Sequence, residues 1–223
     1  VSSVGSATTN TKSIWANAIN ESWDEGTGNN TNKICPLAPV AGASWNHRTN
    51  CTNWSFISPP YTAQAWATMA PMPTARTNHM VASVNGKIYA IGGWIFTGDV
   101  LNMVEEYDPA TNTWTTKAPM PTARSDASVA VVNGIIYVIG GAAKNGGSLS
   151  TNEAYNPATN TWTTKAAMPA GRKFLAAASV NNKIYALGGI KTGSTYVKTN
   201  EEYDPGSNTW TAKTQMTTAR GYF

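Results

Sequence analysis

The chain has 223 residues, of which 13% are charged, and its formal net charge is +4. The positive charges are scattered, with Lys117, Lys165 and Lys213 at equivalent points of a repeat. The sequence therefore predicts no nucleic-acid partner, because such a surface clusters basic and aromatic side chains, and no apolar stretch is long enough to span a membrane.

The first predicted domain is residues 1–63, an all-β segment rich in Asn, Thr, Ser and Trp that holds both cysteines, Cys35 and Cys51. With His47 as the nearby imidazole, this pair favours a disulfide over a metal site. A disulfide, low charge and abundant Thr, Asn, Ser and Gly are typical of secreted proteins. We therefore expect the chain to be secreted or on the cell surface.

Tryptophans with acidic and amide neighbours recur in this domain, in the stretches Glu21-Ser22-Trp23-Asp24-Glu25-Gly26-Thr27-Gly28 and Ala43-Ser44-Trp45-Asn46-His47-Arg48 and at Trp54. These residues, within 21–54, resemble part of the DNRLRE-type jelly-roll domains of secreted bacterial proteins, although the second half of that domain is absent. The resemblance implies a bacterial source and a β-sandwich module for surface attachment. The alternative is an all-β cap on the first repeat.

The second predicted domain, residues 64–223, is an internal repeat with a period of 48 residues. The spacing is shared by Trp66, Trp114, Trp162 and Trp210, by an arginine, by a Gly-Gly pair and by a tyrosine. A fixed period in this range indicates a repeat architecture. Three complete units span residues 77–117, 125–165 and 173–213.

Each unit predicts four short antiparallel strands, a to d. Strands a and b meet at Asn85-Gly86 in the first unit, the strongest signal for a tight hairpin. Strand b is nearly apolar throughout, which indicates a sheet covered on both faces. One small sheet cannot cover itself, so neighbouring copies must stack, and radial stacking of four-stranded sheets is a β-propeller.

Each unit has an arginine, an apolar run, a strand such as Ile-Tyr-Ala-Ile-Gly-Gly, a spacer, Glu-Glu-Tyr-Asp-Pro, Asn-Thr-Trp and Met-Pro. This order resembles the kelch repeat, a family whose period is about fifty residues, from about residue 65 onward. The resemblance implies that strand a lines a central channel and strand d lies outside. It also implies that the Gly-Gly pair, Tyr and Trp are structural.

The predicted blades do not close a ring. Residues 66–72 look like a lone strand d, and Arg220-Gly221-Tyr222-Phe223 begins a fourth strand a. Three blades would expose two apolar faces, more than a monomer usually shows. Residues 1–63 could supply the missing strands, several chains could assemble, or the sequence could be a piece of a longer chain.

The residues available for catalysis are few. His47 and His79 are the two histidines of the chain, and no nucleophile-elbow sequence accompanies them. Glu105, Glu153 and Glu201 recur once per unit, which favours a structural pairing. We expect no metal and no cofactor.

Function is expected where the copies differ, because loops on a rigid scaffold commonly carry binding. The copies differ in the spacers 94–104, 142–152 and 190–200 and in the residues leading into strand a. Trp94, Phe96 and Tyr196 could stack on a sugar or on a partner's apolar patch, or they could cover a neighbouring blade. The candidate binding residues are Trp94, Phe96, Asp99, Lys144, Asn145, Lys191 and Tyr196 in the spacers and Asn78, His79, Asp126 and Phe174 in the lead-in segments.

The sequence favours a non-enzymatic extracellular module that contacts a protein, a glycan or further copies of itself. The alternative is a carbohydrate-active enzyme similar to kelch-type sugar oxidases or sialic-acid epimerases. The sugar oxidases hold copper with Tyr and His ligands, which two histidines, one of them outside the repeats, disfavour.

Overall fold

The computed structural model describes residues 67–223. The predicted Cys35–Cys51 disulfide and the predicted jelly-roll or cap segment lie outside the described residues. Within residues 67–223 the regular structure is β-strand, in agreement with the predicted class. The strands are β1 (Met80–Val84), β2 (Lys87–Ile91), β3 (Val104–Asp108), β4 (Thr113–Lys117), β5 (Ser128–Val132), β6 (Ile135–Ile139), β7 (Asn152–Asn156), β8 (Thr161–Lys165), β9 (Ala176–Val180), β10 (Lys183–Leu187), β11 (Ile190–Lys191), β12 (Thr195–Tyr196), β13 (Asn200–Asp204) and β14 (Thr209–Ala212).

Three four-stranded antiparallel sheets have the orders β1-β2-β3-β4, β5-β6-β7-β8 and β9-β10-β13-β14. The predicted tight turns form as expected, with positive φ at Asn85 (51°) and Gly86 (74°) between β1 and β2. Asn181 and Asn182 adopt the same conformation in the third copy, at 49° and 59°. A type I′ turn requires positive φ at both central residues, and asparagine tolerates it better than most side chains.

The sheets pack face to face, as blades of a β-propeller do. One buried apolar cluster joins the first and second blades through residues such as Met80, Ile91 and Ile136. A second joins the second and third blades through residues such as Ile139 and Ile184. The first strand of each blade lies at the inner edge of the stack, because β1 contacts β5 and β5 contacts β9.

The repeated Trp, Tyr and Asn bind each blade to the linker before it. In the second blade, Trp162 Nε1 donates to the Ala118 carbonyl at 2.9 Å, and the Ala118 N–H donates to Asn160 Oδ1 at 2.8 Å. The Tyr155 hydroxyl donates to the same oxygen at 2.7 Å, and its ring lies 5.0 Å from that of Trp162. The equivalent contacts occur in the first and third blades, so these residues have a structural role.

Two of these tyrosines make the stability of the blades sensitive to high pH. Burial, together with the charge of Glu106, raises the pKa of Tyr155 from 10.0 to about 12, and burial raises the pKa of Tyr203 to about 12. The unfolded chain loses these protons first. The contribution of each neutral tyrosine to the free energy of unfolding is therefore complete below pH 10.0 and is lost as the pH rises to about 12.

We expect the melting temperature to fall across this alkaline range, and to fall less steeply in Tyr155→Phe. Differential scanning fluorimetry at a series of pH values measures both slopes. Equal slopes in the two proteins would contradict the assignment to Tyr155.

The outer faces of the first and third blades expose apolar residues whose equivalents in other blades are buried between two sheets. Ile88 is 37% exposed, whereas its equivalents Ile136 and Ile184 are 0% exposed. Val180 is 53% exposed, whereas its equivalent Val132 is 5% exposed. The three predicted ways of covering these two faces, by residues 1–63, by further copies of the chain or by the rest of a longer chain, stay predictions. The lone strand predicted at 66–72 is not formed over residues 67–72, because no strand within residues 67–223 pairs with that segment.

Candidate functional site

The spacer after each glycine pair forms a small hairpin, which was not predicted from the sequence. In the third blade it is β11 paired with β12, and in the first two it is a single bridge, Trp94 with Val100 and Ala142 with Ser148. We call these hairpins tab 1 (residues 94–100), tab 2 (142–148) and tab 3 (190–196). Each tab also pairs with the segment leading into its own blade, as Trp94 does with Thr77.

One residue of each lead-in segment joins a continuous hydrogen-bonded chain across the blades. Asn78, Asp126, Phe174 and Tyr222 have φ values of 54°, 56°, 53° and 60°. The N–H of Asp126 donates to the Asn78 carbonyl at 3.1 Å, that of Phe174 to Asp126 at 2.9 Å, and that of Tyr222 to Phe174 at 3.0 Å. We call these four residues the lead-in arc.

The arc is polar at one end and aromatic at the other. Asn78 Nδ2 donates to Asp126 Oδ1, and Ser125 Oγ donates to Asp126 Oδ2 at 2.7 Å. The rings of Phe174 and Tyr222 stack at 4.0 Å, and the ring of Tyr196 lies 6.5 Å from that of Tyr222. The structure therefore brings together three predicted lead-in residues and one predicted spacer residue.

Two residues of this region, Tyr222 and Lys173, were missing from the predicted set. Tyr222 follows Phe174 by the same 48-residue step that relates the other arc residues, so the repeat itself could have identified it. Lys173 approaches the second blade from the third, where Nζ donates to the Gly146 carbonyl at 2.9 Å. No pattern in the sequence indicates that contact.

Neighbouring tabs are linked to each other. Lys144 of tab 2 forms an ion pair with Asp99 of tab 1. Ser148 Oγ of tab 2 donates to the carbonyl of Ile190 in tab 3 at 3.0 Å. These contacts, with the bond from Lys173, hold the three tabs as one crown.

The aromatic side chains of the tabs are exposed to different degrees. Phe96 is 99% exposed, Tyr196 is 49% exposed and Trp94 is 41% exposed. The alternative that these rings cover a neighbouring blade is wrong for Phe96, whose side chain contacts almost nothing. The backbone of the turn that carries Phe96 is nevertheless held, because the Ile95 N–H donates to the Asp99 carbonyl at 3.0 Å and the Gly98 N–H donates to the Ile95 carbonyl at 2.9 Å.

The other predicted residues lie elsewhere. His79 is half-buried beside Gly93, and burial and the charge of Arg76 lower its pKa. Asn145 Oδ1 accepts from the Gly147 N–H at 3.0 Å and so closes the turn of tab 2. Lys191 is exposed on β11. The binding roles predicted for these three residues stay predictions.

A depression of about 180 Å³ lies at the base of tabs 1 and 2. Its lining combines an aromatic ring, a carboxylate and two ammonium groups. The lining includes Asn78, Trp94, Ser125, Asp126, Lys144 and Lys173.

Two classes of site are absent from the described part of the chain. Residues 67–223 contain no group of three or more His, Cys, Asp or Glu side chains that could hold a metal ion. The same residues include no helix long and apolar enough to cross a membrane.

The sequence model of the Kelch motif matches residues 75–121, 123–169 and 171–217, which together exceed half of the chain. Kelch-like protein 30 of Homo sapiens is 41% identical over 78 residues, which are 33% of this chain and 12% of that protein. Kelch-like protein 30 of Mus musculus is 40% identical over 78 residues, again 33% of this chain and 12% of the relative. The chain thus matches only a small part of the length of these relatives.

A solved structure described as "Structure of YjhT" superimposes with a TM-score of 0.62 and 20% sequence identity. The match covers 70% of this chain and 57% of that one. At this identity, the likeness shows a shared fold alone.

Proposed function

The chain belongs to the kelch-repeat family, and from this membership we propose that it is a protein-binding propeller module whose ligand docks on the crown of tabs. Family membership supports a binding role for the blades. The crown is the part of the described blades where the three copies differ most, and loops of this kind on rigid scaffolds commonly carry recognition.

The observation that carries the proposal is the position of Phe96. Its side chain is 99% exposed at the tip of a hydrogen-bonded hairpin. A protruding aromatic ring stabilises the blades very little, whereas rings that fill a pocket on a partner are typical interface hot spots. Because the backbone of the tip is held by its own hydrogen bonds, little backbone conformational entropy is lost when it docks.

The lateral links support the same conclusion. The Lys144–Asp99 pair and the Ser148 bond to Ile190 join tabs of different blades, although neither contributes to the buried clusters. Through these links the three tabs form one surface that a ligand can contact. The secreted or cell-surface setting expected from residues 1–63 belongs to the proposal too, and low charge and the predicted Cys35–Cys51 disulfide support it.

We expect Phe96→Ala to weaken the binding of peptide ligands to the crown by about 2 kcal/mol or more, which is about thirtyfold in affinity. The probes are peptides selected from a random phage-displayed library against the full chain. Biolayer interferometry then measures each peptide against the parent chain and the variant. The physical reason is loss of the ring that would fill the ligand's pocket.

Val180→Ser is the matched control, because Val180 is also an exposed apolar residue but lies on the open face of the third blade. Val180→Ser should not change the affinity of peptides that bind through the crown. Peptides weakened by Val180→Ser and unaffected by Phe96→Ala would bind the open sheet face, and that result would overturn the proposal.

A further inference from the structure

We propose that the depression at the base of tabs 1 and 2 is a subsite for one neutral sugar ring, with Asp126 as its hydroxyl acceptor and Trp94 as its stacking wall. This goes beyond the proposed function, because the depression lies at the base of the tabs, whereas Phe96 lies at a tip and does not line it.

The carboxylate of Asp126 is held in place from both sides. Asn78 donates to one oxygen and Ser125 donates to the other. The backbone of Asp126 is also held, since its N–H donates to Asn78 and its carbonyl accepts from Phe174. Each carboxylate oxygen accepts more than one hydrogen bond, so two adjacent hydroxyl groups of a sugar can donate to the two oxygens together.

The backbone conformation at Asp126 belongs to the repeat. Its φ of 56° lies in the left-handed region, as do those of Asn78, Phe174 and Tyr222. Within the arc, Asp126 is distinguished by a carboxylate side chain at a position that lines the depression.

The charges around the depression balance, which favours a neutral ligand. The lining supplies the Asp126 carboxylate and the ammonium groups of Lys144 and Lys173, and Asp99, which lies outside the lining, supplies a second carboxylate through its pair with Lys144. Lys173 uses one donor on the Gly146 carbonyl, and an ammonium has three donors, so it can also donate to a sugar oxygen. An ionic ligand would upset this balance, whereas hydroxyl groups satisfy both signs of charge.

Trp94 supplies the apolar wall. It lines the depression and is 41% exposed, and its backbone is tied to Thr77 by bonds of 2.9 and 2.8 Å. The face of an indole ring is negative, and the C–H bonds on one face of a sugar ring point partial positive charge at it. A single ring beside a small polar depression therefore suits one sugar unit better than an extended apolar segment.

The test titrates the full chain with the methyl glycosides of glucose, galactose and mannose, followed by isothermal calorimetry and tryptophan fluorescence. We expect at least one of them to bind with a Kd on the order of 1 mM. Asp126→Asn should weaken that binding about tenfold or more, because it removes a charged acceptor. Asparagine tolerates the left-handed conformation, so the fold should survive. Trp94→Ala should weaken binding independently and shift the fluorescence response.

Asp204→Asn is the control, because it makes the same chemical change at the outer turn of the third blade and should leave sugar binding unaltered. The proposal is overturned if none of the three glycosides binds, or if Asp126→Asn and Trp94→Ala both bind as the parent does. Binding of methyl glucuronide in place of the neutral glycosides would also overturn it. None of these results bears on the Phe96-dependent peptides, so the two proposals stand or fall separately.

Discussion

Arg124→Ala is expected to lower the free energy of unfolding by about 3–5 kcal/mol, the usual result of leaving one member of a buried ion pair without its partner. Arg124 is 0% exposed and Glu153 is 1% exposed. Their side chains meet at 2.6 Å, between Arg124 Nη1 and Glu153 Oε2. The variant would leave the Glu153 carboxylate buried with only the Thr122 hydroxyl, which donates to it at 2.7 Å.

The effect is large because Arg124 binds several parts of the molecule together. Its Nη2 donates to the Val138 carbonyl on β6 at 3.1 Å, while Glu153 lies on β7. Burial lowers the pKa of Arg124, and the charge of Glu153 opposes that shift. The linker between the first two blades is thereby fixed to the second blade. Arg172 and Glu201 repeat the arrangement in the third.

Urea unfolding followed by tryptophan fluorescence measures this change. Lys144→Ala is the control, because it removes a lysine from an ion pair that is largely exposed, and such pairs contribute about 0–1 kcal/mol. The double variant Arg124→Met, Glu153→Leu should be more stable than Arg124→Ala, since it leaves no unpaired charge. A loss for Arg124→Ala no larger than that for Lys144→Ala would contradict the explanation.

Gly140→Ala is the second large effect, and we expect it to destabilise the chain by about 3 kcal/mol or more. Gly140 has a φ of +69°, and an added Cβ would lie 2.4 Å from the Arg172 carbonyl oxygen. That oxygen accepts the Gly141 N–H at 2.9 Å. The carbonyl therefore cannot move aside without losing a bond between the second blade and the linker to the third.

Gly134→Ala separates the two causes of this loss of stability, which are the backbone strain at a positive φ and the clash of the added Cβ with the Arg172 carbonyl. Gly134 has a similar φ of +76°, but nothing lies within 4 Å of its added Cβ. Gly134→Ala should therefore lower the free energy of unfolding by about 1–2 kcal/mol, which is the strain of a residue with a side chain in the left-handed conformation. Urea unfolding of both variants gives the difference that belongs to the close approach. Equal losses would show that the Gly-Gly pair is needed for its φ alone.

Much of the fold could be predicted because the repeat encodes it locally. The Asn-Gly and Asn-Asn turns, the apolar second strand and the Gly-Gly pair each act over a few residues. Their recurrence then requires stacking, because each sheet has two apolar faces. The tabs could not be predicted from the sequence, because their pairings are one or two residues long, too short for any alternation of polar and apolar residues to show. They form because lead-in residues such as Thr77 supply partners.

The site was only partly visible in the sequence. Comparison of the copies identified Phe96, Trp94, Asp126 and Phe174 as places where they differ, yet it could not show that Asn78 and Asp126 touch. Residues 48 apart meet because neighbouring blades pack face to face in register, which brings equivalent lead-in positions side by side.

The sequence by itself thus determined the strands, their turns and the need for blades to stack, since these depend on propensity and burial within one unit. Only the tertiary structure decided which divergent residues share a surface. The hydrogen bonds of the lead-in arc, the links between tabs and the depression beside Trp94 depend on how neighbouring blades pack. That packing involves two sheets, so the sequence of one repeat alone does not determine it.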